Sequence, residues 1–274
     1  MSLINASRSE ATKQFSTAMW WILAIVLFVY VAFTATALGF VFSAASTGSL
    51  PGNGPQIPAD MLPSLLYSSA TSVGYVFPVL IGTLMVTTEF RHKTLTPTFL
   101  ATPRRSTVLI AKVLIGILLG VLYAVVGIVA SVAPSAGFLA GFGLDTGFSS
   151  GDTWALIGRM VIAFVLWVLV GIGVGALVRN QVGAIVGVLV FTQFLEPIGR
   201  VAASFVEGLS DATKFLPGAA GDALVGASVL SMSAGTGAST GDPLEWWAGG
   251  LVLLGYAAVL IFLGYLFSWR RDVS

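Results

Sequence analysis

Apolar positions run in long blocks along this chain, and the few charges fall between the blocks. No charge separates Lys13 from Asp60, and within that gap residues 18–42 are almost wholly apolar. That is long enough for a helix crossing a membrane at about 20 residues per span. A charge at the bilayer centre is costly, so the remaining charges mark the limits of further blocks. The second, 65–86, stops short of Glu89. The third, 108–132, carries Lys112 near one end, where a long side chain is expected to snorkel to the interface. The fourth, 160–178, lies between Arg159 and Arg179. The fifth starts at Val182 and the sixth, 247–269, is closed by Arg270 and Arg271. The pattern predicts an all-α polytopic membrane protein: one transmembrane domain (1–274) of six helices behind a short amphiphilic segment, 5–17. The first block exceeds the roughly 7–15 residues of a signal-peptide core, so it reads as a retained helix.

The fifth block is the ambiguous one. Its apolar run, 183–195, is about 13 residues, below the roughly 17 a span requires. Either the span is short and Glu196 is a carboxylate at the outer interface, or it continues to about 203. In the second case Glu196 lies at membrane depth beside a kink at Pro197. Arg179-Asn180-Gln181 leaves so little chain between spans four and five that they are expected to be antiparallel neighbours.

Composition agrees with the pattern. Hydrophobic residues make up 56% of the chain and charged residues 9%, against about 25% charged in soluble domains. A net charge of +1 offers no field for nucleic acid, and the lack of cysteine excludes thiol chemistry, disulfides and thiolate metal sites. A single histidine, His92, neither builds a histidine metal site nor supplies a serine intramembrane protease with a base at membrane depth. No G-x-x-x-x-G-K-[ST] loop is present, so no ATP hydrolysis is expected of this chain itself.

The placement of charge orients the molecule. With the N-terminus inside, ten of the 13 basic residues fall on inner segments and only Arg159, Arg200 and Lys214 on outer ones. Basic residues near span ends favour the cytoplasm, so both termini are expected to be cytoplasmic. Tryptophans 20, 21, 246, 247 and 269 stand at span ends as interfacial anchors. Three G-x-x-x-G pairs, 116/120, 171/175 and 183/187, are expected to bring helices of this chain together rather than to form a dimer seam. The glycine-rich stretch 133–158 reads as an outer loop, as does 43–64 with its run 51–55. The long outer segment 196–246 is expected to hold short helices at or dipping into the outer face.

The inner loop between spans two and three carries the chemistry. It reads Glu89-Phe90-Arg91-His92-Lys93-Thr94-Leu95-Thr96-Pro97-Thr98-Phe99-Leu100-Ala101-Thr102-Pro103-Arg104-Arg105. Thr94 is placed to cap a short helix over 95–101, Pro97 is tolerable in its first turn, and Thr102-Pro103 stops it. The run Glu89-Phe90-Arg91, Lys93-Thr94-Leu95 and Ala101-Thr102-Pro103-Arg104-Arg105 resembles the inner loop of ABC-2 type ABC-transporter permeases, above all the actinobacterial branch. A common family form has Gly where this chain has Lys93. The similarity in layout covers essentially the whole chain.

The resemblance implies the type V exporter-like permease fold and a bacterial plasma-membrane half-transporter. Two permease copies, identical or homologous, pair with two copies of a separate ATPase that binds ATP and Mg²⁺; the permease holds no cofactor of its own. It casts the loop as the coupling helix, with Leu95, Phe99 and Leu100 as knobs in an ATPase cleft. Arg91, Lys93, Thr94, Arg104 and Arg105 surround them, and Glu89 pairs with a basic residue of the N-terminal segment or of the partner. Phe191, Gln193, Phe194 and Glu196 are candidates for an outward path taken by an amphipathic or hydrophobic substrate: a drug, antibiotic, peptide or lipid. The alternative is a membrane-embedded substrate-binding subunit of an importer, which also needs an outside ATPase but not this basic inner loop.

Overall fold

The computed structural model describes residues 2–49, 57–102, 104–203, 212–226 and 244–269. It is helical throughout, with no strand among the described residues. Helix α1 (Leu3–Phe15) starts where the Ser2 hydroxyl accepts from the Asn5 amide and ends with Lys13 in its last turn. Helix α2 (Met19–Ser46) is apolar for most of its length and carries no charge. The second block is broken into α3 (Leu62–Tyr67), α4 (Ser69–Gly74) and α5 (Val76–Arg91). Pro78 has no N–H to offer the carbonyl four residues back, that of Gly74, which is where α4 ends. At the other break, the Ser68 and Thr71 hydroxyls donate to the carbonyls of Leu65 and Ser68, both at 2.8 Å. After α6 (Leu95–Ala101) come α7 (Arg105–Gly141), α8 (Gly151–Leu177) and α9 (Gln181–Val190). A π-helical turn (Phe191–Leu195) leads into α10 (Glu196–Ala203). Then follow α11 (Pro217–Val225) and α12 (Trp246–Gly264), the last running into a second π turn (Tyr265–Trp269).

Six of these stretches are long and apolar enough to cross a membrane: Met19–Ser46, Leu62–Arg91, Arg105–Gly141, Gly151–Leu177, Gln181–Ala203 and Trp246–Phe267. Their outward faces stay apolar, with Phe33 74% and Phe262 60% exposed, a surface suited to lipid rather than water. The architecture is that of an all-α polytopic membrane protein.

Helix α8 is the hub, flanked by α5, α7 and α12. Glycine allows its close packing on α5. A Cβ on Gly82 would collide with the Val168 carbonyl, and one on Gly171 with the Val79 carbonyl. The Thr83 hydroxyl ties the two backbones together, within 2.8 Å of Val79 O and 3.1 Å of Gly171 O. Gly116 and Gly120 similarly admit Ile172 and Val165 of α8, and Gly175 admits Thr83. Of the three G-x-x-x-G pairs, then, 116/120 and 171/175 pack within the chain. Gly187 faces open space and Gly183 only its own cap, Asn180.

Three expectations need correction. The outer loop 133–158 is mostly helix: α7 continues through Pro134 to Gly141, and α8 begins at Gly151 with Ser150 as its cap. Arg159 did not mark a helix end because its guanidinium is used inside the fold, donating to Val225 O at 3.3 Å and lying over the Trp246 ring. Spans four and five are joined by a tight turn, yet α9 packs chiefly on α5, since α8 is already flanked by three helices. Lys112 does not snorkel; its side chain is 1% exposed. Residues 51–55, Pro103, Arg270 and Arg271 lie outside the described residues, as do most of 196–246 beyond α10 and α11 and the side chain of Trp269.

Candidate functional site

One end of the bundle gathers α1, the end of α5, α6 and the start of α7 around four charges. Lys112 Nζ lies 2.6 Å from Glu10 Oε2 and 3.0 Å from Glu89 Oε2. Lys13 Nζ lies 2.8 Å from Glu10 Oε1 and 2.9 Å from Glu89 Oε1. Each carboxylate thus stands between two ammonium groups, and each ammonium between two carboxylates. Lys13 also donates to the Thr98 hydroxyl of α6 at 3.2 Å, and Lys112 to the Met85 carbonyl at 3.4 Å. Glu10 and Lys112 are 3% and 1% exposed, so water screens that pair little, while Lys13, 37% exposed, keeps its side of the ring partly in water.

Burial alone would raise the Glu10 carboxyl, but Lys112 and then Lys13 outweigh it and hold Glu10 below the ordinary carboxylate value of 4.5. Burial likewise opposes the charge on Lys13, yet Glu89 and Glu10 hold it above the ordinary 10.5. A depressed acid stabilises the fold above its ordinary pKa and loses that contribution as pH falls through the folded value. A raised base stabilises below its ordinary pKa and loses it as pH rises through the folded value. The contributions of Glu10 and Lys13 are therefore complete between 4.5 and 10.5, and fade as pH falls below the first toward the depressed Glu10 value or rises above the second toward the raised Lys13 value. The unfolding midpoint in detergent, followed against pH, is expected to be flat in between. A midpoint that climbed or fell steadily from pH 6 to pH 8 would contradict the assignment, since ~6.5 is where a histidine would be titrating instead.

The inner-loop residues divide sharply. Glu89 pairs with Lys13 of the N-terminal segment, and also with Lys112. Leu95 is 1% exposed and belongs to the core, so it is not a surface knob; α6 must bury one face to dock on the bundle. Phe99 packs partly against that core, with the Arg105 guanidinium 5.1 Å from its ring centroid. Leu100 is 80% exposed. Arg91 and Arg104 are exposed, and Arg91 approaches Gln181 Oε1 at 3.5 Å. Thr94 is not a side-chain cap; its carbonyl accepts from the Thr98 amide and hydroxyl instead. Lys93 has φ 56°, with its amide bonded to Phe90 O and that of Thr94 to Glu89 O. That is a Schellman ending on α5, a place where glycine is at home.

Glu10 and Lys112 carry the ring and were not singled out as site residues. The usable signal was Lys112 inside an apolar block, where an ionised side chain demands a partner.

At the opposite side of the fold, the fifth span runs through Glu196 and Pro197 to Ala203, so it is not short. The π turn explains how. In its register the Glu196 amide bonds Phe191 O, and the next donor would be Pro197, which has none. The Thr192 carbonyl left over accepts from the Tyr75 hydroxyl at 2.8 Å. Glu196 is 3% exposed, and its Oε1 accepts from the Ala219 amide at 3.0 Å, capping the first turn of α11. Nearby, Arg200 pairs with Asp222 at 3.0 Å. Glu196 and Gln193 line a cavity of about 110 Å³ there. Phe191 and Phe194, 39% and 61% exposed, do not line it. Among the described residues no cluster of three or more potential metal ligands occurs. Compared with known proteins, the chain matches no family model and no curated protein.

Proposed function

We propose that the chain is the membrane subunit of an ATP-driven exporter of the ABC-2 type, residing in a bacterial plasma membrane with both termini in the cytoplasm. In this reading a separate ATPase supplies the energy, and the cargo is amphipathic or hydrophobic. Two permease copies meet two ATPase copies. The single observation that carries the reading is the position of α6. It lies between the second and third spans, buries Leu95, presents Leu100 outward, and is tied through Thr98 and Lys13 to the charged ring. A push on α6 is thus delivered to α1, α5 and α7 together rather than absorbed by a loose loop. The basic residues Arg91, Lys93, Arg104 and Arg105 around it suit an acidic rim on a partner.

The mechanism follows from that linkage. ATP closes the ATPase pair, the two α6 helices approach, and the inner ends of the spans move with them, shutting the inner half of the path while the outer half opens.

Leu100→Asp is the direct test, because an 80% exposed side chain is not needed for folding. Co-expressed with an ATPase encoded beside it, the variant is expected to insert and fold normally but to lose association at least tenfold, as for a hot-spot residue. Undiminished association would overturn the coupling role of α6 and favour an importer's binding subunit.

A further inference from the structure

The outer cavity has features that the export reading does not use, and the inference drawn from it does not rest on that reading. Its walls come from α2 (Tyr30), α4 (Thr71, Ser72), the break after it (Tyr75), α8 (Trp167), the π turn and α10 (Gln193, Glu196, Arg200), and α11 (Asp222). Its volume, about 110 Å³, compares with the roughly 10–15 Å³ one water needs on the same kind of measure, so a small organic group fits.

Two polar atoms at this cavity are unsatisfied. Glu196 is 3% exposed; one of its oxygens caps α11, but Oε2 is sealed from solvent and has no hydrogen-bond partner among the described residues. The hydroxyl of Ser72, another lining residue, is buried without a partner among the described residues too. A buried acceptor left unmade costs about 1–3 kcal/mol, and more when charged, so such atoms are seldom left idle. The charge count points the same way. Arg200 pairs with Asp222 at 3.0 Å, and with Glu196 the lining carries two carboxylates to one guanidinium. The rings of Tyr75 and Trp167, 4.8 Å apart, add negative π faces to the same wall. The mouth lies at the exposed lining residues, Tyr30 and Gln193.

We propose that this cavity is a binding site for a protonated primary amine. Its ammonium donates to Glu196 Oε2 and Ser72 Oγ and rests against the Tyr75 and Trp167 rings, while its substituent leaves between Tyr30 and Gln193. A primary ammonium fits better than a quaternary one because the carboxylate oxygen only accepts and the Ser72 hydroxyl can accept as well, so both take N–H donors that a quaternary group lacks. The same headgroup occurs on a free amine and on an aminophospholipid, and the test separates the two.

The purified chain in detergent is titrated with ethanolammonium chloride at constant ionic strength, and its thermal unfolding is followed. Ethylene glycol, of similar size but neutral, and tetramethylammonium, charged but without N–H donors, are run in parallel. Ligand binding to the native state raises the midpoint in a saturable way. Saturable stabilisation by ethanolammonium is expected, with none from the glycol and at least tenfold weaker apparent affinity for tetramethylammonium. Glu196→Gln keeps an oxygen for the Ala219 amide but loses the charge. It is expected to weaken ethanolammonium at least tenfold, and Ser72→Ala several-fold. Phosphatidylethanolamine in mixed micelles, compared with phosphatidylglycerol, is the lipid arm. Stabilisation by the free amine assigns a soluble ligand; stabilisation by the lipid alone, lost in Glu196→Gln, assigns a headgroup. No saturable shift with either in the wild-type chain, or a shift shared by the glycol or undiminished in Glu196→Gln, means the cavity holds water only and overturns the proposal.

Discussion

Lys112→Met is expected to destabilise the folded chain by about 3–5 kcal/mol, the usual cost of removing one partner from a buried ionic group. Methionine fills nearly the volume of lysine and is at home in an apolar helix, so the loss is electrostatic. Without the 1%-exposed ammonium, Glu10 and Glu89 remain buried with Lys13 alone to share between them. Unfolding in detergent, read by circular dichroism, gives the size of the effect. Hydrogen exchange gives its location, and the amides of α1 are expected to lose protection first because α1 is held on α7 through Glu10. The triple variant Lys112→Met with Glu10→Gln and Glu89→Gln should recover most of the loss, since removing buried charges together is often close to neutral. A single variant within 0.5 kcal/mol of wild type, the range of ordinary surface changes, would show that the ring contributes little.

The second large effect is expected at Gly171. Gly171→Leu places a Cβ against the Val79 carbonyl of α5, 2.9 Å from its carbon and 3.0 Å from the Thr83 amide nitrogen. The obstacle is backbone, so no side chain can turn aside, and the cost belongs at or above the top of the usual overpacking range of about 1–3 kcal/mol. The variant also separates Thr83 from the Gly171 carbonyl, which its hydroxyl reaches at 3.1 Å. Gly187→Leu is the matched control: nothing lies within 4 Å of a Cβ there, and stability is expected to hold within 0.5 kcal/mol. Equal behaviour of the two variants would mean that α5 and α8 are not in such close contact.

The membrane class and the six apolar stretches were legible in the sequence because both depend on single-residue hydropathy summed over about 20 positions. The ends of the helices were less so. Placing ends at charges works only where a charge seeks water, and Arg159 instead finds Val225 O and Trp246, while Lys112 finds Glu10 and Glu89. Pro134 and the surrounding glycines imitate a loop, but α7 carries on past them. Within the inner loop, the short helix over 95–101 was readable from Pro97 in its first turn and Thr102-Pro103 at its end. Which face it buries was not, because seven residues hold too little pattern to separate Leu95 from Leu100. The pairing of Glu10 with Lys112 joins residues 102 positions apart, and the Tyr75–Thr192 bond spans 117. No local rule reaches that far. The second also depends on a π register that only the folded helix reveals.

The charged ring has a consequence for the order in which the chain is assembled. Glu10 and Lys112 are 102 residues apart, and the first two spans lie between them. The first helix made therefore waits, with its carboxylate still in water, until two spans have been threaded into the bilayer and a third has begun. Only then is the lysine present that allows Glu10 to leave water. The docking of α1 thus registers that the first two spans are in place and the third has started.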